Sequence, residues 1–229
     1  MQKFSLFVTM FMITFLGFSQ EKVKFGIHAG ANISNITSKF SYASSGIRYT
    51  TKLPFNSIIG FTGGIEAEVP LGKNFYLQPE LSYSQLGAKT VLPSGGVDSN
   101  STALSQKLEG KSILHYMVLP VLLKYKFYNT GASIFAGPQY GYLLGVTNKI
   151  NSTTINEKDN SNYKSDLSGI FGAEYYLPMG LGISARYQLG ITNTQKPEYL
   201  NLNDLPNGVV AKSISVRNRA FTFTIGYRF

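Results

Sequence analysis

The chain has no cysteine and no tryptophan, and it is poor in charge. Without cysteine there can be no disulfide scaffold, thiolate metal site, thiol nucleophile or lipid anchor on a modified Cys. Charged residues make up 14% of the sequence, against about 25% in ordinary globular domains, so much of the surface is not built to meet water. Long apolar runs are also missing beyond the first residues. The most apolar later stretch, Ile113 to Leu123, is interrupted by His115 and Pro120 and runs into Lys124. A helical span needs about 20 apolar residues, so residence in a membrane would have to be through strands, which satisfy their backbone groups by closing into a barrel.

What is present is glycine (23 residues), tyrosine (15) and phenylalanine (16), with a formal charge of +9. The basic residues are scattered singly rather than gathered in a stripe or arm, which argues against nucleic acid and for anionic lipid headgroups as the partner. The start, MQKFSLFVTMFMITFLGFS, carries Lys3, an apolar run from Phe4 to Leu16, and the small residues Gly17 and Ser19. This is the pattern of a secretory signal peptide over residues 1–19, leaving a single domain at 20–229.

Strict period-two alternation, the mark of a strand with two unlike faces, recurs eight times. The last segment sets Phe221, Phe223, Ile225, Tyr227 and Phe229 against Thr222, Thr224, Gly226 and Arg228. Similar segments run over residues 23–32, 61–69, 75–84, 123–127, 133–144, 167–177 and 181–191. Tight turns join three pairs: Pro70 to Asn74, Tyr128 to Gly131, and Pro178 to Gly180. Long polar loops are expected at Ser34 to Asn56, Lys89 to Gly110, Thr147 to Asn162 and Asn193 to Val216. Short turns at one end and long loops at the other match a closed, antiparallel, up-and-down, eight-stranded transmembrane β-barrel of the outer-membrane type.

The faces of that barrel follow from parity. With Phe, Tyr, Leu and Ile outward in lipid, the lumen receives Lys24, Lys124, Lys126, Arg186 and Arg228 together with Glu66, Glu68, Glu80 and Glu174. Unpaired charge is costly in a narrow lumen, so these nine residues are expected to neutralise one another. The inverse assignment, a small soluble ligand-binding barrel, would leave a very large apolar face in water. Lys111, Arg217 and Arg219 have outward parity near the loops, where they could meet lipopolysaccharide phosphates. Phe223, Ile225, Tyr227 and Phe229 resemble the aromatic-ended strand read by the outer-membrane assembly machinery.

Catalytic chemistry finds little support. His28 and His115 offer no metal-ligand spacing, and no GxSxG elbow is present. Glu66 and Glu68, about 7 Å apart on one face of one strand, read as partners for lumen cations rather than as an acid/base pair. The glycines around Gly26, Gly30 and Asn32 lack a following helix and a phosphate-binding lysine, and read as small residues in a curled strand. Eight strands enclose a space that side chains fill, which argues against a channel. No cofactor is expected.

The segments KFGIHAGANISNI, NFYLQPELSYSQLGAK, HYMVLPVLLKY, IFAGPQYGYLLG and GYRF, in this order, resemble the PorT-like outer-membrane β-barrel family across residues 20–229. The resemblance implies an eight-stranded outer-membrane barrel with both termini in the periplasm, and it implies no defined activity. In that family's motif an inward Glu often stands where this chain has Val118. One lumen carboxylate is therefore absent, leaving His115 or the glutamates at 66 and 68 less clearly paired. The function expected is a non-enzymatic structural or interaction barrel of the cell envelope, touching envelope or secretion-system proteins. An accessory role in protein secretion is the alternative.

Overall fold

The structure is a computed structural model that describes residues 22–44, 47–53, 55–97, 103–150, 153–157, 165–194 and 209–229. The expected signal peptide lies outside these residues. Among the described residues every regular element is a strand: β1 (Lys24–Ser44), β2 (Ile47–Leu53), β3 (Asn56–Gly72), β4 (Phe75–Val97), β5 (Ala103–Lys126), β6 (Ala132–Ile150), β7 (Thr153–Glu157), β8 (Asp166–Tyr176), β9 (Leu181–Gly190) and β10 (Val209–Arg228).

Ten strands make a ring of eight. The order β10-β9-β8-β6-β5-β4-β3-β1 is antiparallel throughout, and β1 pairs back onto β10 from Gly26↔Arg228 to Ser44↔Val209. β2 continues the line of β3 along β1, taking over from Ser34↔Ile58 at Ser38↔Leu53. β7 similarly continues the line of β8 along β6. Closure leaves no edge around the ring, the condition for a sheet to sit in lipid.

Alternation sets the two faces. On β10, Phe223, Ile225 and Tyr227 are exposed on the outside while Thr222, Thr224 and Arg228 are buried within. Some of the outward aromatics pack together in two groups. Near the turns, Phe75 packs edge-on against Tyr125, Tyr125 against Phe127, and Tyr227 against Phe229. Eight residues higher, Phe171, Tyr187 and Phe221 stack across β8, β9 and β10. On β6 an extra residue, Leu144, bulges outward between the pairs His115↔Gly145 and Tyr116↔Leu143.

The turns fall where expected, with Lys73 (φ 48°), Asn129 (φ 55°) and Gly180 (φ 91°) taking the left-handed backbone that reverses the chain. The long loops do not. Most of the first three expected loops, and the last third of the fourth, is strand: β1 runs on to Ser44, β4 to Val97 and β6 to Ile150, while β5 starts at Ala103 and β10 at Val209. Period-two contrast arises where one face meets lipid and the other the lumen. Beyond the membrane both faces are polar, so the contrast fades while backbone pairing continues. The barrel thus has a turn end and a hairpin end, and the hairpins stand well above the apolar band.

Candidate functional site in the barrel lumen

The lumen near the turns is a closed ionic network. It draws Glu66 and Glu68 from β3, Glu80 from β4, Lys124 and Lys126 from β5, Glu174 from β8, Arg186 from β9 and Arg228 from β10. Arg228 is its centre. The guanidinium donates from Nε to Glu66 Oε1 at 2.6 Å, from Nη1 to Glu174 Oε1 at 2.9 Å, and from Nη2 to Glu174 Oε2 at 3.0 Å and Gln78 Oε1 at 3.2 Å. Nη1 also lies 3.0 Å from Glu68 Oε2. Lys124 Nζ reaches Glu68 Oε2 at 3.0 Å and also meets Glu174; Lys126 pairs with Glu68. Arg186 Nη1 holds Glu80 Oε2 at 2.8 Å.

Four carboxylates thus meet four permanent cations. The fit depends on neutral groups as well. Gln78 donates to Glu80 Oε1 at 2.7 Å and Glu66 Oε2 at 3.3 Å, and Ser133 donates to Glu174 Oε1 at 3.1 Å. The Tyr176 ring lies 3.6 Å from the Arg228 guanidinium carbon, with its hydroxyl donating to Glu66 Oε1 at 3.4 Å. Two glycines leave room for that ring: a Cβ on Gly182 would stand 2.5 Å from it, and one on Gly226 would stand 2.5 Å from its hydroxyl. Burial of charge is tolerable here because each carboxylate has a charged partner and further hydrogen bonds.

Lys24 departs from expectation. It has the right parity and stands opposite Glu68 in the β1–β3 register, but it is exposed at the mouth, and no ion pair among the described residues includes it. As the first residue of β1 it sits level with open water, and solvating its ammonium costs less than ordering it. The concern raised by Val118 is also corrected. Glu66 and Glu68 are fully paired without a further group, His115 points outward, and Val118 is packed in hydrocarbon.

Above the charges the lumen changes character. A middle layer is polar: Asn32 donates to Ser84 Oγ at 2.9 Å and accepts from Thr222 Oγ1 at 2.7 Å, while Asp166 accepts from Asn218 at 3.2 Å and Gln188 at 3.4 Å. Towards the hairpins Ile36, Leu86, Ala88, Leu114, Tyr116, Val118, Val146, Val216 and Ala220 close the barrel with an apolar plug. The polar layer holds a cavity of about 20 Å³, bordered by His28, Glu80, Ser82, Gln139 and Arg186, which is room for about one water molecule.

One arrangement that the spacing of the residues does not reveal lies beside that cavity. His28 Nε2 is 2.9 Å from Ser82 Oγ, and its Nδ1 is 3.3 Å from Glu66 Oε2. This is the hydroxyl–imidazole–carboxylate order of a hydrolase. All three groups are buried, and about 20 Å³ cannot admit a scissile bond with its substituents. His28 therefore reads as a tie between β1, β3 and β4. Gln78, Ser82 and Tyr176 all share inward parity with the glutamates, so their face was legible but their roles were not.

The outward residues fall in three places. Phe223, Ile225, Tyr227 and Phe229 line the apolar face of the last strand. Arg217 and Arg219 are exposed near the hairpin end of β10, opposite Thr37 and Asn35 of β1. Lys111 lies on β5, across the ring from β10, so the three basic residues expected at the rim stand on opposite walls.

The fold and its filled lumen define a class: a small, closed, antiparallel membrane barrel with an apolar outer band and, among the described residues, no open bore. The chain belongs to the outer membrane protein β-barrel domain family, whose model matches residues 18–196, and it is accordingly an outer-membrane protein. No curated protein matches it. Among solved structures it is similar to Neisserial surface protein A, at 11% identity and a TM-score of 0.46, covering 91% of this chain and 100% of that one. It is also similar to OprG from Pseudomonas aeruginosa (14%, TM-score 0.43, 90% and 95% covered). A third is the outer membrane protease OmpT from Escherichia coli (10%, TM-score 0.42, 92% and 98% covered). The soluble-carrier alternative falls with this family membership.

Proposed function

We propose that the protein is a non-enzymatic structural and interaction barrel of the cell envelope, with both termini and the short turns in the periplasm and the tall hairpins outside. The observation that carries this reading is the doubly sealed lumen, ions at one end and hydrocarbon at the other, with about 20 Å³ between them. Such an interior serves neither transport nor turnover, so the working surfaces are the outer wall and the hairpins. The outward basic residues Lys111, Arg217 and Arg219 meet lipopolysaccharide phosphates, and the β10 face ending in Phe229 is read by the assembly machinery. An accessory part in protein secretion is a second reading, favoured by the PorT-like order of LQPEL, LPVLLKY and AGPQYGYLL.

The absence of cysteine gives a clean test. A single cysteine at Ser94 of the β4–β5 hairpin should react with an impermeant maleimide in intact cells, and one at Asn129 in a turn should react only after the outer membrane is opened. The purified barrel should give no conductance in planar bilayers. Labelling at Asn129 in intact cells would reverse the orientation, and steady single-channel currents would remove the sealed-lumen reading. Secretion of exported proteases in a deletion strain separates the two roles.

A further inference from the structure

Three lysines stand in one row on the outer wall. Lys89 of β4 is the Cα partner of Lys111 of β5, and Lys111 is the partner of Lys149 of β6. All three have outward parity. Neighbouring strands lie about 4.8 Å apart, so the three stems leave the sheet within a span of about 10 Å. Like charges directly opposite one another across strands are destabilising, and here the arrangement occurs twice in succession. One carboxylate answers it: Glu109 Oε2 lies 2.8 Å from Lys89 Nζ. Lys111 and Lys149 have no ion pair among the described residues.

Directly below the row the same wall carries a ledge of neutral polar groups, also facing outward. Tyr83 OH and His115 Nδ1 are 2.6 Å apart, Gln85 Nε2 donates to Tyr83 OH at 3.1 Å, and His115 Nε2 lies 3.1 Å from Thr147 Oγ1. The chain of bonds ends where Thr147 donates to Asn156 Oδ1 at 2.9 Å. Side chains of this kind have no place against acyl chains.

Depth fixes what they face. Along β5 the ten steps from Phe127 to Met117 rise about 25 Å at about 3.3 Å each and a tilt of about 40°, which fills the apolar band. His115 follows immediately. Lys111, sixteen residues above Phe127, stands about 40 Å up by the same measure, about 15 Å beyond the apolar band. The ledge therefore lies where a headgroup begins, and the lysines stand beyond it, their flexible stems able to lay the ammonium groups back toward headgroup phosphate.

We infer that the β4–β5–β6 wall is a binding site for a phosphorylated glycolipid, with headgroup phosphate on Lys111 and Lys149 and sugar hydroxyls on the Tyr83–His115–Thr147 ledge. The site rests on the outer-membrane reading and adds to it a particular wall. The opposite wall differs, since Arg217 and Arg219 face Thr37 and Asn35, and the Asn35 amide is turned to the Phe55 carbonyl at 3.1 Å.

The test uses the whole protein refolded in detergent, with a phosphorylated glucosamine-disaccharide lipid, its dephosphorylated form, and phosphatidylglycerol as probes in native mass spectrometry. The wild type should retain the first far better than either of the others. Lys111→Gln with Lys149→Gln should lower its retention about thirtyfold, two surface lysines' worth of headgroup attraction, clearly more than Arg217→Gln with Arg219→Gln, which meet phosphate without a sugar-binding ledge beside them. Equal retention by the lysine variant overturns the site. Equal retention of phosphatidylglycerol overturns the role of the ledge. The heat-induced gel shift, run in parallel, separates these outcomes from failure of the barrel itself: a wild type without the shift would sink the underlying reading instead.

Discussion

Near the turns the lumen is filled with charge, and near the hairpins it is filled with hydrocarbon. The same eight strands build both halves, and both exclude water, yet they do different work. Aliphatic packing in the hairpin half stabilises in proportion to buried area and accepts many rearrangements. The ionic half is selective. Arg228 on β10 must reach Glu66 and Glu68 on β3 and Glu174 on β8 at once, which holds for one register of closure; a slip of one residue would turn the guanidinium outward. Burying charge is weak evidence for stability in itself, so the contrast suggests that one half contributes most of the cohesion and the other specifies the pairing.

That division can be broken from either side. Arg228→Leu should have the largest effect, because three glutamates lose their shared partner. A loss of about 5 kcal/mol, the upper end for an uncompensated buried charge, should show as a folded band that disappears at much lower temperature in unheated gels. Leu114→Ala, in the apolar plug, should cost about 3 kcal/mol through the cavity it leaves, with register and heat-modifiability intact. A plug variant as damaging as the arginine variant would erase the distinction. Replacing both members of one pair, Glu80→Gln with Arg186→Leu, should cost less than Arg186→Leu alone, since removing both charges leaves none unpaired. If the double variant is the worse of the two, the pair adds cohesion after all. Lys24→Gln should leave heat stability unchanged, because the exposed ammonium holds no ion-pair partner among the described residues. A measurable loss would restore it to the network.

The two halves also differ in how far the sequence discloses them. The charged half is readable because Glu66, Glu68, Glu80 and Lys124 each alternate with apolar neighbours, so parity assigns them inward. Parity gives the face and not the height, which is why Lys24 is indistinguishable from Lys126 until the register is known. The apolar half is concealed by its own composition. Through LHYMVLPVLL both parities are apolar, so nothing marks Leu114, Val118 and Leu122 as lumen residues. His115, the polar member of that run, is in fact on the outside. The upper strands escape because serine, threonine and asparagine at both parities look like loop, although the backbone there remains paired. The Ser82–His28–Glu66 contact joins three strands, and local spacing cannot foresee it.

The seam between β1 and β10 has a consequence in time as well as in space. It joins residue 26 to residue 228, a separation that makes this pairing slow, since a long loop must close before any contact rewards it. Every other strand can find its neighbour through a hairpin while the seam stays open with two unpaired edges. Through that interval Glu66, Glu68 and Glu174 lack the guanidinium that gathers them, because it travels on the last strand to arrive. Completion of the wall and neutralisation of the interior are therefore one event. An immature barrel is marked by exposed acid within as well as by an open edge, and a chaperone could recognise either until β10 docks.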